Sequence, residues 1–146
     1  MGTIEWQSGD RIYVDTNLFI YAVEQVMPFA PQVQPLLEAA DQRAITLVTS
    51  LLTLAETLVM PFRREDEVLI SAYRDLFTMP PPGLAVVPLG AAILEQAARL
   101  RALSSGLYLP DAIHLATAQS ERCDLFVTND SRLKAASDIK VIVLTD

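Results

Sequence analysis

The segment at residues 11–21, RIYVDTNLFIY, constrains the fold of this chain more than any other. It begins as a short apolar run rich in β-branched and aromatic residues, which is typical of a buried strand. The run ends in Asp15-Thr16-Asn17 and continues as an apolar, helix-compatible segment. The carboxyl end of a central strand faces the crevice where open α/β sheets bind ligands, so Asp15 is a candidate site residue. Alternatively, Asp15 and Asn17 only cap the next helix, because both residue types are favoured there.

Segments of strand and helix character alternate along the rest of the chain. Apolar runs predict strands at residues 44–49, 84–87, 124–128 and 141–144, and helical spacing predicts helices at residues 18–26, 31–43, 51–61, 63–77, 89–103, 110–122 and 131–136. Pro61 is expected to end the third of these helices. The alternation indicates right-handed βαβ units. We therefore expect an α/β fold, a three-layer α/β/α sandwich with a mainly parallel sheet, with residues 11–146 as its single domain and residues 1–10 as an N-terminal tail.

The composition is that of one globular domain. The chain has 146 residues, of which 51% are hydrophobic, and its mean hydropathy of +0.31 favours a sheet that is buried on both faces. No apolar run is long enough to span a membrane, and residues 1–10 lack the order of a signal peptide. The single cysteine, Cys123, fits a reducing compartment. We therefore expect a cytoplasmic protein.

The formal net charge is −7 and the pI is about 4.6. This acidity argues against a nucleic-acid-binding protein, which usually carries a basic surface. The objection weakens if some of the acids bind divalent cations. With four carboxylates counted as metal ligands, the remaining charge is −7 + 4 = −3.

Three further acids occupy positions comparable to that of Asp15. Glu56 lies inside an apolar helix after the second strand, Asp111 lies in the first turn of a helix, and Asp130 follows the fourth strand. In a parallel sheet, all of these side chains can converge at the carboxyl ends of the strands. Each acid also has a simpler explanation. Glu56 fits an exposed glutamate on a helix face, Asp111 fits a first-turn aspartate that complements the helix dipole, and Asp130 fits a turn-forming Asn-Asp pair.

Converging carboxylates repel one another and need cations to stay ionised. Oxygen ligands without cysteine or histidine partners favour Mg²⁺ or Mn²⁺ over zinc. Such a site can activate water and stabilise in-line displacement at a phosphodiester. The predicted metal ligands and catalytic residues are Asp15, Glu56, Asp111 and Asp130. His114 lies one turn after Asp111 and is interpreted as a core or supporting residue without a catalytic role.

Four short motifs resemble, in order and spacing, those of the PIN domain nucleases. They are Val14-Asp15-Thr16-Asn17, Leu54-Ala55-Glu56, Pro110-Asp111-Ala112-Ile113-His114-Leu115-Ala116 and Val127-Thr128-Asn129-Asp130. The resemblance covers about residues 11–144 and implies a Mg²⁺- or Mn²⁺-dependent ribonuclease. For small single-domain members it also implies the toxin of a VapBC-type toxin–antitoxin pair, often a homodimer that a partner protein inhibits. By the same resemblance, the four acids match the acidic quartet of the family, and Asn17, Thr128 and Asn129 match supporting polar positions.

The resulting interpretation is a metal-dependent ribonuclease, with RNA as its substrate and a cognate antitoxin and a second copy as expected partners. The basic candidates for contact with RNA phosphate are Arg63, Arg64, Arg99 and Arg101, although solvated charges on helix surfaces explain these arginines better.

Two alternatives stay open. A PIN-like fold that acts through binding alone is favoured by the acidic pI and opposed by the complete quartet. A phosphatase of the haloacid dehalogenase type requires an aspartate where Asn17 stands, and a receiver domain requires a late lysine for which Lys134 and Lys140 are poorly placed.

Overall fold

The computed structural model describes residues 4–144. Its strands are β1 (Arg11–Val14), β2 (Thr46–Ser50), β3 (Leu84–Val87), β4 (Leu125–Thr128) and β5 (Lys140–Val143). Its α-helices are α1 (Thr16–Val23), α2 (Ala30–Asp41), α3 (Leu51–Arg63), α4 (Glu67–Thr78), α5 (Ala91–Leu103) and α6 (Leu109–Ser120). A 3-10 helix spans Ser131–Ala136.

The strands form one parallel sheet in the order β3-β2-β1-β4-β5. The chain extends the sheet from β1 to β3 on one side, and then places β4 and β5 on the other side of β1. The carboxyl ends of β1 and β4 therefore border a topological switch point, which is where open α/β sheets form a ligand crevice. Asp15 follows one of these strands, and Asp130 follows the other.

Two apolar cores cover the two faces of the sheet, because side chains alternate along each strand. Ile12 and Val14 pack with residues of α1, α2 and α4, whereas Tyr13 packs with residues of α5 and α6. In the register of the sheet, Tyr13 lies between Val48 and Phe126, which belong to the same core. The predicted α/β sandwich with a parallel sheet is therefore confirmed.

The prediction that Pro61 ends its helix is wrong. Pro61 is buried inside α3, which continues to Arg63. A proline near the carboxyl end removes one hydrogen bond, and few residues follow it in the helix. The backbone N–H of Arg64 still closes the last turn by donating to Met60 O at 3.0 Å.

The division into a tail and a domain stays a prediction. Residues 1–3 of the expected tail and residues 145–146 lie outside the described part of the chain. Ile4 is buried in the core beneath the sheet, and Gly9 N donates to Ala44 O at 2.7 Å. Between residues 4 and 144, no helix combines the length and the apolar character that crossing a membrane requires.

Candidate active site

Asp15 links the start of α1 to the neighbouring strand β4. Its Oδ1 accepts a hydrogen bond from the backbone N–H of Thr16 at 2.8 Å and so caps α1. Its Oδ2 accepts a hydrogen bond from the hydroxyl of Thr128 at 2.5 Å. Helix capping therefore explains one of the two oxygen contacts, and the other contact fixes the carboxylate across the switch point of the sheet.

Glu56 lies on α3, and its side chain is 33% exposed. Its Oε1 accepts hydrogen bonds from Thr16 Oγ1 at 2.7 Å and from His114 Nε2 at 2.6 Å. Burial raises the pKa of Glu56, but the hydrogen bond and charge of His114, together with Thr16, outweigh it and lower the pKa below its usual value. The described contacts thus stabilise the ionised carboxylate.

Asp111 and Asp130 share the guanidinium of Arg132. Arg132 Nε donates to Asp130 Oδ1 at 2.9 Å and to Asp130 Oδ2 at 3.0 Å, and Nη2 donates to the same carboxylate. Nη2 also lies 3.4 Å from Asp111 Oδ2. This guanidinium therefore supplies positive charge to two of the four predicted acids.

The pKa values of these two acids shift in opposite directions. Burial raises the pKa of Asp111, and although Arg132 opposes the rise, the charges of Asp15 and Asp130 add to it. Hydrogen bonding by Arg132 lowers the pKa of Asp130 below its usual value. The charges of Asp15 and Asp130 therefore disfavour the ionised form of Asp111, and Arg132 favours it.

Arg132 is a residue of the candidate site that the sequence motifs do not predict. Its Nη1 donates to Gly106 O at 3.3 Å, and its guanidinium lies 5.0 Å from the ring centroid of Tyr108, which is the geometry of a cation–π contact. Within residues 4–144 it is the one lysine or arginine that forms an ion pair with any of the four acids. The signal in the sequence is its spacing of two residues from Asp130, across the turn where Asp130 caps the 3-10 helix.

The predicted supporting polar residues lie beside Asp15 at the ends of β1 and β4. Asn17 Nδ2 donates to Asn129 Oδ1 at 3.1 Å, and Asn129 Nδ2 donates to the hydroxyl of Tyr21 at 2.8 Å. Thr128 is fully buried and also accepts a hydrogen bond from the backbone N–H of Asp130 at 3.1 Å. Thr128 therefore connects Asp15 with Asp130.

The four arginines proposed for RNA contact are all exposed. They are Arg63, Arg64, Arg99 and Arg101. None of them forms an ion pair with the predicted acids in the described part of the chain. Their role in binding RNA stays a prediction.

Comparison with known proteins identifies the family. The sequence model of the PIN domain matches residues 12–139. The chain belongs to the PIN domain family. The resemblance that the four motifs indicated is thereby confirmed. No curated protein sequence matches the chain significantly.

Solved structures share the PIN fold of this chain. VapBC2 from Rickettsia felis, bound to a DNA fragment from its promoter, is 20% identical, with a TM-score of 0.70 over 91% of this chain and 98% of that chain. The sarcin-ricin loop cleaving toxin VapC20 from Mycobacterium tuberculosis is 19% identical, with a TM-score of 0.69 over 86% of this chain and 94% of that chain. A toxin–antitoxin complex from Klebsiella pneumoniae is 24% identical, with a TM-score of 0.65 over 90% of this chain and 96% of that chain. At these identities the likeness establishes the fold.

The acids of this PIN domain fit a divalent cation by their chemistry, because all four offer hard carboxylate oxygens. Their arrangement is not that of a ready-made site. Among residues 4–144, no three Asp, Glu, His or Cys side chains are grouped so as to hold one metal ion. Arg132 contacts both Asp130 and Asp111 and already serves as their counter-cation. Both oxygens of Asp130 accept from the guanidinium, so coordination of a metal ion by Asp130 competes with Arg132, whereas Asp111 contacts Arg132 through Oδ2 alone.

Proposed function

We propose that the protein is a Mg²⁺- or Mn²⁺-dependent ribonuclease. The observation that carries this proposal is the gathering of four acids from separate parts of a PIN domain at one edge of its sheet. Asp15 bonds Thr128 of β4, Glu56 bonds the residue next to Asp15, and Arg132 bridges Asp111 and Asp130. Repulsion in such a cluster is relieved by bound cations.

In this proposal Asp15 and Asp111 are the principal metal ligands, and Glu56 and Asp130 complete the site directly or through water. A bound Mg²⁺ or Mn²⁺ supplies an activated water and stabilises the charge that develops at the phosphodiester. The chain itself fixes the carboxylates. Thr128 holds Asp15 by its hydroxyl, and the buried Thr16 holds Glu56. One of the carboxylates orients the attacking water.

The cellular role in this proposal is that of the toxin of a VapBC-type pair. The structures of similar fold include toxin–antitoxin complexes, which supports a cognate antitoxin as a partner. This support is by analogy of fold, because the sequence identities are below 25%. A cytoplasmic location and a homodimer belong to the same proposal.

A second function, binding without catalysis, is favoured by three observations. The described residues lack a group of three ready-made metal ligands, and two of the acids are neutralised by Arg132. The pI of 4.6 also disfavours a high affinity for RNA. A PIN-like scaffold with an intact but metal-free acid cluster has these properties.

Cleavage of labelled RNA in Mn²⁺, Mg²⁺ or EDTA separates the two functions. We expect cleavage that requires the metal, and we expect D15N to reduce it by more than about a hundredfold, because a ligand matters more than its supporting groups. The matched control is D75N, which removes an exposed aspartate of α4 away from the sheet edge. Absence of cleavage in either metal, with Mn²⁺ binding also absent, would refute the nuclease and favour the scaffold.

The toxin role has its own test. Expression of the wild-type protein in bacterial cells should stop growth, whereas D15N should not. An active nuclease that leaves growth unaffected contradicts the toxin role and leaves the ribonuclease proposal intact.

A further inference from the structure

His114, the single histidine of the chain, is buried where three parts of the candidate site meet. It lies on α6 one turn after Asp111, and its side chain is 2% exposed. Its ring contacts Tyr13 on β1 and Glu56 on α3. Tyr13 precedes Asp15 by two residues in the chain. His114 therefore joins the elements that carry three of the four acids.

The two ring nitrogens of His114 have different partners. Nε2 lies 2.6 Å from Glu56 Oε1, and Nδ1 lies 2.6 Å from the hydroxyl of Tyr13. Because an ionised carboxylate only accepts hydrogen bonds, Nε2 carries a proton and donates a hydrogen bond to Glu56. The hydroxyl of Tyr13 is fully buried and fixes the other side of the ring. The orientation of the imidazole is thus determined at both nitrogens.

The hydrogen bonds to Glu56 leave one of its oxygen atoms available. Within residues 4–144, the bonds from His114 Nε2 and Thr16 Oγ1 both end on Oε1. Two donors on one oxygen restrict rotation of the carboxylate, and Oε2 remains for a metal ion or a water molecule. A histidine that only filled the core would need satisfied nitrogens, but it would not need an acid of the site as its partner.

We propose that His114 is a positioning residue that orients the Glu56 carboxylate, and that the Tyr13 hydroxyl aligns the imidazole for this task. The role rests on the proposed ribonuclease function, because it concerns the same site. His114 contacts neither the substrate nor the reacting atoms in this role. It acts through Glu56, which its Nε2 approaches to 2.6 Å, whereas the same nitrogen lies 3.8 Å from Asp15 Oδ1.

Two substitutions separate the positioning role from a packing role. In H114Q the side-chain amide reaches the former position of Nε2 and can donate to Glu56. In H114N the amide reaches only the former position of Nδ1, next to Tyr13. Both variants remove the ring and lose packing, so their thermal unfolding in EDTA reports the shared structural cost. Activity is then compared at a temperature where both variants are folded.

We expect kcat for RNA cleavage to be about 10–100-fold lower in H114N than in H114Q, with similar KM values, as for other residues that orient metal ligands. The apparent Mn²⁺ affinity should likewise be lower in H114N than in H114Q. Equal kcat values and equal Mn²⁺ affinities in the two folded variants would overturn the positioning role. A wild-type protein that neither binds Mn²⁺ nor cleaves RNA would instead refute the proposed function and the positioning role with it.

Nitrogen NMR of the metal-free protein tests the contacts without any activity measurement. Because the chain has one histidine, its ring signals are unambiguous. We expect a proton on Nε2 whose resonance shifts in E56Q, and an Nδ1 resonance that shifts in Y13F. Y13F keeps the histidine, so it remains informative if both His114 variants fail to fold. An Nε2 resonance that is unchanged in E56Q would overturn the proposal.

Discussion

Replacement of Thr128 by valine should destabilise the protein through the loss of one hydroxyl group. Valine has nearly the same shape as threonine, so T128V opens no cavity at this fully buried position. The lost hydroxyl donates to Asp15 Oδ2 at 2.5 Å and accepts from Asp130 N at 3.1 Å. The variant therefore leaves a carboxylate oxygen and a backbone N–H without their partner.

Hydrogen bonds to charged groups contribute more than neutral ones, and a buried group that loses its partner carries its full desolvation cost. On this basis T128V should lower the free energy of unfolding by about 2–4 kcal/mol. In a domain of this size, the loss corresponds to a decrease of about 5–15 °C in the unfolding midpoint. Thermal and urea unfolding in EDTA, followed by circular dichroism, measure the change without interference from metal ions.

The matched control is T117V. Thr117 is also fully buried, but its hydroxyl bonds Ile113 O of its own helix, a carbonyl that lies within a regular helical turn. We expect this variant to lose less than about 1 kcal/mol. If T128V loses no more stability than T117V, the hydroxyl of Thr128 does not hold Asp15, and the proposed link across the switch point is wrong.

Three further predictions concern the counter-cation, the crowded acids and the backbone. R132Q should raise the apparent Mn²⁺ affinity about two- to fivefold, because the guanidinium no longer competes with the metal ion for the acids, whereas R101Q should leave the affinity unchanged. Calorimetric titration measures the affinity of both variants, and an unchanged affinity in R132Q argues against competition. D111N should raise the unfolding midpoint at pH 7 in EDTA, because the raised pKa of Asp111 means that its charge destabilises the fold. This destabilisation is absent below the ordinary aspartate pKa and complete above the raised pKa of Asp111. The gain in unfolding midpoint should therefore vanish in acid, and a gain that persists in acid would show that the charge of Asp111 is not its cause. G83A should cost about 3 kcal/mol or more, because Gly83 has a φ of +92° and an added Cβ would lie 2.3 Å from a carbonyl oxygen of α2. G106A, with a φ of +82° and open space around the Cβ, should cost only about 1–2 kcal/mol by chemical denaturation, and equal losses in the two variants would show that the close approach is not rigid.

Much of the fold could be predicted because it depends on local patterns. The apolar run before Asp15 marks a strand end, and the helical spacing from residue 51 marks a helix start. The structure has both at those positions. The convergence of Asp15 and Asp130 follows from the parallel order of the strands. The prediction for Pro61 fails because the local rule for proline takes no account of its burial or of how few residues follow it in the helix.

The partners of the acids could not be predicted, since they depend on side-chain geometry across elements. Arg132 looks like any exposed arginine in the sequence, and only the turn at Asp130 aims it at two carboxylates. Tyr13 looks like a core residue of a buried strand, and its hydroxyl gains meaning only when α6 brings His114 to it. Periodicity reports which face of an element is buried, but it does not report which polar atoms meet there.

The sheet order has a consequence for synthesis of the protein. Thr128, which fixes Asp15, lies 113 residues further along the chain, on the strand that completes the centre of the sheet. A ribosome-bound chain that has not yet released β4 lacks this partner, together with Asp130 and Arg132. The candidate site therefore gains its full set of acids only after translation has passed β4, so the ribonuclease that we propose would be incomplete until that stage of its own synthesis.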